Sequence, residues 1–311
     1  MRKALITGSE GFVGGYLKKE LSDNGYDVYG ADVVVSEEAE KSGKVFKIDM
    51  LDYESTFSII DKIKPDIIIH LAGQANVAAS WKIPQKTMQI NVIAAINLME
   101  AVRNVNSDIR IVLVGSSDQY GKLLEKGVDV KESMETHPET PYAVSKKAQE
   151  EMAGIYVRAY KMNVCMTRSF NHGGAGQKKG FMIPDFASGI VDVERGNQDV
   201  VRVGNLESKR DFTHVKDVVR AYRLIAEKGK TGTVYNVGSG TAVSAASILD
   251  KLVSMADCEI KVVQDPSRLR PSDTPVICCN HDLLTEDTGW TPLYSVDDIV
   301  KDTLDYYRKQ N

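Results

Sequence analysis

Short apolar runs ending in small or turn-forming residues alternate, through the first half of the chain, with longer stretches of helical periodicity. The runs at 3–7, 27–31, 44–48, 66–70, 110–115 and 163–168 read as strands, because they are short, β-prone and apolar without strict alternation. A strand that is apolar on both sides must be covered on both sides, and the helical stretches between the runs are long enough to make the crossovers. The pattern predicts an α/β fold, a doubly wound parallel sheet of the Rossmann type, with ligands received at the C-terminal ends of its strands. After Arg168 the rhythm changes, and residues 171–209 are richer in glycine with isolated helix and strand signals. This reads as a second, smaller α/β lobe beside the sheet. A helix signal at 213–228 and a strand signal at 234–237 return to the large sheet, whereas 242–270 and a helix at 295–308 go with the small lobe. The expected division is therefore 1–170 plus about 213–237 for one domain, and 171–212 with 238–311 mainly for a discontinuous second one.

Composition excludes several classes of partner. With 42% apolar and 26% charged positions, the 311 residues can bury one large core or two smaller ones. A net charge of -4 gives no reason to expect nucleic acid, so an anionic ligand has to be met by local groups. No stretch reaches the roughly 20 apolar residues of a membrane span, and the apolar run at 4–7 is too short for a secretion signal. Cys165, Cys258, Cys278 and Cys279 have neither C-x-x-C nor Cys/His ligand spacing, so no metal site and no disulfide framework is expected. A cytoplasmic setting is the simplest one.

The first strand runs into Gly8-x-x-Gly11-Phe12-Val13-Gly14 and then a helix pattern at 12–21. Glycines here let the backbone turn sharply and approach a pyrophosphate, whose charge is met by amide N–H groups and a helix N-terminus. A plain turn would also use glycines; the position between a first strand and a first helix favours the ligand. The second strand ends at Asp32, where a dinucleotide fold places an acid that accepts from the adenosine ribose hydroxyls. Asp32 also suits an ordinary turn. Val33, Val34 and Val35 follow it with no arginine to receive a 2′-phosphate, so NAD(H) is the preferred cofactor and NADP(H) the lesser alternative. Asp49 and Met50 after the third strand, and Leu71, Ala72 and Gly73 after the fourth, are expected along the same ligand, Asp49 toward the adenine amino group. His70 is taken as structural.

Tyr142 and Lys146 share one helix face, one turn apart. A free phenol titrates near 10 and is a sluggish acid at neutral pH; a nearby ammonium would bring it closer to working range and also reach the nicotinamide ribose. Such a pair alone is an unremarkable solvated face. Ser116, ending the fifth strand, adds a hydroxyl in the same crevice that can stabilise a developing oxyanion.

In this order, Gly8-x-x-Gly11-x-x-Gly14, Ser116 and Tyr142-x-x-x-Lys146 make the chain resemble the extended short-chain dehydrogenases/reductases along essentially its whole length. Within them it is most similar to the GDP-4-keto-6-deoxy-D-mannose reductases, with GDP-mannose 4,6-dehydratases as close relatives. The finer features are Gly115-Ser116-Ser117-x-x-Tyr120-Gly121, Thr167-Arg168-x-Phe170-Asn171-His172, Gly204-Asn205-Leu206-x-x-x-Arg210-Asp211-Phe212 and Leu269-Arg270-Pro271-Ser272. The resemblance implies that Ser116, Tyr142 and Lys146 are catalytic, that Ser117, Asp118, Asn171, Arg210 and Arg270 hold a GDP-sugar, and that the enzyme is a homodimer through helices near Tyr142. Two arginines can grip a diphosphate with planar, charge-assisted forks; the lesser alternative makes them ion-pair partners of Asp211 and Asp273.

One departure bears on the reaction. Dehydratases of this class carry a glutamate two residues after the catalytic Ser/Thr, and this chain has Asp118, one methylene shorter. The expected activity is reduction of the 4-keto group of GDP-4-keto-6-deoxy-D-mannose to a product such as GDP-D-rhamnose, the alternative a nucleotide-sugar dehydratase or epimerase. A non-catalytic dinucleotide sensor has no need of the Ser, Tyr and Lys set.

Overall fold

The computed structural model describes residues 1–121, 129–268 and 276–310. Strands β1 (Arg2–Thr7), β2 (Tyr26–Asp32), β3 (Val45–Lys47), β4 (Ile67–His70), β5 (Arg110–Ser116), β6 (Asp129–Val130), β7 (Val164–Ser169), β8 (Asn171–Gly173), β9 (Val201–Val203), β10 (Lys209–His214), β11 (Val234–Val237), β12 (Ala242–Ser244), β13 (Val262–Gln264) and β14 (Val276–Cys279) alternate with helices. The helices are α1 (Phe12–Asp23), α2 (Glu37–Lys41), α3 (Tyr53–Ile63), α4 (Val77–Lys82), α5 (Pro84–Met88), α6 (Ala94–Val105), α7 (Pro141–Tyr160), α8 (Met182–Glu194), α9 (Val215–Lys228), α10 (Ala245–Ser254), α11 (Asp282–Thr288) and α12 (Val296–Lys309).

The main sheet has the order β3-β2-β1-β4-β5-β7-β11, with every neighbouring pair parallel. Alternate residues of β1, β4, β5 and β7 feed two cores. Leu5, Ile68, Ile111 and Val164 pack with Ile60 of α3, Leu98 of α6 and Ala153 of α7 on one face. Ile6, Ile69, Val112 and Cys165 pack with Leu17 of α1 and Val218 and Ile225 of α9 on the other. The chain order reverses between β1 and β4, and in open α/β sheets a ligand crevice opens at such a switch point. The doubly wound sheet expected from the apolar runs is therefore present, with its switch point at the glycine loop.

A second sheet, β12-β10-β14-β6 with β8 paired to β10, stands beside the first. A third core joins Ile183 of α8, Ile248 of α10, Ile299 of α12 and Phe212 of β10. Two segments lie across the boundary that periodicity suggests. Asp129–Val130 pairs with β14 of the second sheet, and α11 packs with α9 on the large sheet. The second placement follows from Trp290, which is fully buried with Leu284 in the α1/α9 core and whose indole N–H donates to the Asp217 carbonyl at 3.0 Å.

Candidate active site

The glycine loop is shaped by close backbone approach. Gly8 has φ +72°, and a Cβ there would stand 2.8 Å from the Ala72 nitrogen; one at Gly14 would stand 2.6 Å from the Gly8 carbonyl oxygen. Gly11 begins α1 without a side-chain cap, and the first turn holds no acid. The first-turn N–H groups and the positive end of the helix are thus left to an anion. Phe12, opening the helix, stacks on His172 of β8 at 6.4 Å and 6°, and the Tyr16 hydroxyl donates to the Ala175 carbonyl at 2.8 Å. The two contacts tie the first turns of α1 to β8 and to the segment that follows it. Val13 packs with the α1/α9 core.

Asp32 ends β2 against this loop and accepts from the Glu10 N–H at 3.0 Å and the Val34 N–H at 3.3 Å. Val33 and Val34 beyond it are exposed. Asp49 is exposed and accepts from the Leu51 N–H at 2.9 Å. Met50 lies in the core, with its carbonyl accepting from Asn97 at 3.0 Å. The Leu71 N–H donates to the Thr7 carbonyl at 3.0 Å and the Ala72 N–H to the Thr7 hydroxyl at 3.3 Å. A Cβ on Gly73 would come within 3.6 Å of Lys146 Nζ and 3.0 Å of Asn91 Oδ1. The uncapped helix start, the glycine cradle, the acid at the end of β2 and the bare backbone leading to the lysine together fit a nicotinamide dinucleotide.

Thr140 caps α7, its hydroxyl accepting from the Ala143 N–H at 3.0 Å, and Pro141 takes the first helical position. Tyr142 and Lys146 on its first turns are both buried, as is Ser116 at the end of β5. The Ser116 hydroxyl neighbours the Tyr142 phenol and accepts from the Asp118 N–H at 3.2 Å. The lysine is not the group that tunes the phenol. Burial first, and then the Asp118 carboxylate, push Tyr142 well above 10, with the neighbouring Ser116 hydroxyl acting in the opposite sense. Lys146 is brought down from 10.5 to about 8 by burial, and its ammonium donates to the Val114 carbonyl at 2.8 Å and to Gln149 Oε1 at 3.0 Å. Desolvation, invisible in a four-residue spacing, reverses the expected lowering of the phenol and leaves Tyr142 protonated, the form a proton donor requires.

His70 is fully buried, bonded through Nδ1 to the Thr7 hydroxyl at 2.7 Å. Burial and the nearby Lys146 bring it down to about 3, so it is neutral.

Sequence reasoning missed two polar residues of this crevice. Asn91 lies in a π-helical turn, Gln89–Ile93, a distortion common at functional sites. It accepts from the Gln74 N–H at 2.7 Å, and its amide donates to the Gln74 carbonyl at 3.1 Å and the Ser145 hydroxyl at 2.8 Å. Gln119 in the turn Ser117–Tyr120 accepts from the Ser116 N–H at 3.1 Å. An asparagine between Ile90 and Val92, inside an otherwise apolar helical pattern, was the available signal for the first; nothing in spacing marks the second.

On the substrate side, Ser117 is buried in the turn after Ser116, and Asn171 is exposed on β8. Arg210 lies on β10, with one guanidinium nitrogen donating to the Lys209 carbonyl at 2.9 Å. Its neighbour Asp211 accepts from the Ser239 N–H and hydroxyl at 2.8 and 2.6 Å, the Gly240 N–H at 2.8 Å and the Cys279 N–H at 3.1 Å. Four donors therefore account for the carboxylate that the ion-pair alternative assigned to an arginine. Arg270 and Asp273 lie outside the described residues. Among the described residues no group of three or more His, Cys, Asp or Glu is placed to hold a metal ion, and no helix is long and apolar enough to cross a membrane.

A doubly wound sheet with a glycine cradle at its switch point, and a buried Ser, Tyr and Lys set on the next strand and helix, define a nicotinamide-dependent oxidoreductase of the extended short-chain dehydrogenase/reductase class. Comparison with known proteins narrows this. The chain belongs to the GDP-mannose 4,6 dehydratase family, which it matches over residues 5–303. It is 34% identical over 247 residues to the GDP-6-deoxy-D-mannose reductase of Pseudomonas aeruginosa, covering 79% of this chain and 81% of that one. The structure of RMD from Pseudomonas aeruginosa complexed with NADPH superposes with a TM-score of 0.89 at 29% identity, over 100% of both chains. UDP-glucose 4-epimerase from Brucella ovis in complex with NAD superposes with a TM-score of 0.89 at 25% identity, over 99% of both. The chain is thus an NAD(P)-dependent oxidoreductase of nucleotide sugars.

Proposed function

We propose that the enzyme reduces the 4-keto group of GDP-4-keto-6-deoxy-D-mannose to give GDP-D-rhamnose. The observation that carries this reading is the Tyr142 phenol, kept protonated by burial and set beside the buried Ser116 and Lys146. The nicotinamide cofactor supplies the hydride when bound. Ser116 donates to the substrate O4 as negative charge develops there, and Tyr142 delivers its proton to the same oxygen. Lys146, held between the Val114 carbonyl and Gln149, supplies positive charge beside the site. Asn171, Arg210 and Arg270, with Ser117 and Asp118, hold the GDP-sugar, the arginines on the diphosphate. Asp32 makes NADH the preferred cofactor by accepting from ribose hydroxyls and repelling a 2′-phosphate. The large sheet, 1–170 with 213–237, is the cofactor domain, and 171–212 with 238–311 is mainly the sugar-nucleotide lobe of a cytoplasmic homodimer.

Similarity to a protein named a GDP-6-deoxy-D-mannose reductase supports the reductase reading, and the dehydratase description of the family supports the alternative. Asp118 favours the first. Elimination needs a further acid/base within about 3 Å of the reacting proton, and aspartate reaches one methylene less than glutamate. The test is stoichiometry: purified enzyme with the 4-keto sugar should release one NAD+ for each product formed. Product formed without net NADH consumption contradicts the proposal.

A further inference from the structure

Beneath the catalytic serine runs a chain of buried polar groups that the reaction proposed above does not use directly. Gln119 is fully buried and employs both ends of its amide. Its Oε1 accepts from the Ser116 N–H at 3.1 Å, and its Nε2 donates to Glu150 Oε2 at 2.8 Å. The second bond sets which way the amide faces, because a flipped amide would oppose its NH2 to the Ser116 N–H. Glu150 is itself fixed by a bidentate pair with Arg168, from Nε to Oε2 at 2.9 Å and from the guanidinium NH2 nitrogen to Oε1 at 2.7 Å. Arg168 is held in turn by the Glu132 carbonyl at 3.2 Å and by the face of Tyr120, 4.7 Å from the ring centroid. Gly115 leaves the room this needs, since a Cβ there would stand 2.8 Å from Gln119 Oε1.

The chain of bonds crosses the three elements whose relative placement the chemistry requires. Ser116 ends β5, Glu150 lies on α7 with Tyr142 and Lys146, and Arg168 lies on β7 beside β5. A buried ion pair adds little net stability over an apolar replacement, whereas a fully satisfied buried network fixes geometry. We infer that Gln119 is a positioning residue for the reaction: directed by the Glu150–Arg168 pair, it holds the end of β5 so that the Ser116 hydroxyl stays facing the Tyr142 phenol. The inference rests on the reading that Ser116 and Tyr142 act together on a carbonyl.

Gln119→Met keeps the volume and loses both hydrogen bonds. It should lower kcat by about 10- to 100-fold, the effect of a small misplacement at a reacting centre, and leave the sugar KM and the NADH Kd within about twofold. Gln119→Glu restores the acceptor for the Ser116 N–H but sets two carboxylates face to face, with Arg168, Lys147, Glu132, Asp118 and the Tyr120 phenol as the other titratable or charged groups around them. Protonation would restore donor and acceptor together, so its kcat relative to wild type should rise as pH falls from about 8 to about 6. A ratio that does not change with pH, or wild-type kcat in Gln119→Met, overturns the inference. A crystal structure of Gln119→Met gives an answer without turnover: Ser116 should be displaced from its place beside Tyr142, and an unmoved Ser116 also overturns it. Failure of the wild type to reduce any keto sugar would instead contradict the function proposed above, and the crystallographic comparison would still decide the positioning role.

Discussion

Replacing Lys146 with methionine separates what the lysine does for catalysis from what it costs the fold. Its ammonium is buried between the Val114 carbonyl and Gln149 and is brought down from 10.5 to about 8. At about 1.4 kcal/mol per pH unit, that drop corresponds to about 3 kcal/mol of destabilisation below pH 8. The sign follows from proton counts. Between pH 8 and 10.5 the unfolded chain binds the lysine proton and the folded one has released it, so stability rises with pH through this window. Lys146→Met removes the dependence. His70, the titratable group that Lys146 perturbs, is held to about 3 and stays neutral throughout. The wild type should therefore gain about 2–3 kcal/mol on the variant between pH 6 and pH 10, or about 4 °C in Tm for a chain of this length. Lost bonds to Val114 and Gln149 offset the two curves by an amount independent of pH. Unfolding by heat or urea across that pH range measures the difference, and parallel curves would refute the buried, weakened ammonium. Activity of the variant should be lost at every pH.

Tyr142→Phe should lower kcat by about 100-fold or more, because it deletes the proton donor while keeping the ring; NADH affinity, measured by fluorescence titration, should be nearly intact. Asp32→Ala should raise NADPH use relative to NADH, by loss of ribose hydrogen bonds and of repulsion toward a 2′-phosphate; a wild type that uses both equally would place the determinant elsewhere. Arg210→Ala and Arg270→Ala should each raise the KM for the nucleotide sugar and spare the NADH Kd, and unchanged KM in both would make these arginines structural.

The sheet was legible because burial on both faces leaves a direct mark, a run such as Ile67–His70 in which every residue is apolar or hidden. The glycine cradle was legible from its spacing between a first strand and a first helix; the contacts that forbid a Cβ at Gly14 lie within six residues, on the Gly8 and Ser9 carbonyls, whereas those at Gly8 come from Leu71 and Ala72 beyond β4 and left no mark but the glycine itself. Electrostatics were not. The spacing of Tyr142 and Lys146 shows that they neighbour one another and says nothing of desolvation, which moves the phenol up and the ammonium down. Asn91 and Gln119 escaped because their partners are set by tertiary packing, Ser145 lying 54 residues from Asn91 and Glu150 lying 31 from Gln119. The pairing of Asp129–Val130 with β14 spans a still longer separation, and two residues are too few for any periodicity.

Isotope transfer tests the central claim most directly. Purified enzyme should be given GDP-4-keto-6-deoxy-D-mannose and NADH bearing deuterium at the transferable position of its nicotinamide C4, and the product examined by mass spectrometry and proton NMR. A 4-ketoreductase places one deuterium on C4 of the hexose for each NAD+ released, and GDP-mannose incubated without NADH stays unchanged. Conversion of GDP-mannose to a 4-keto product with no net change in cofactor, or a reduced product without label at C4, would contradict the account.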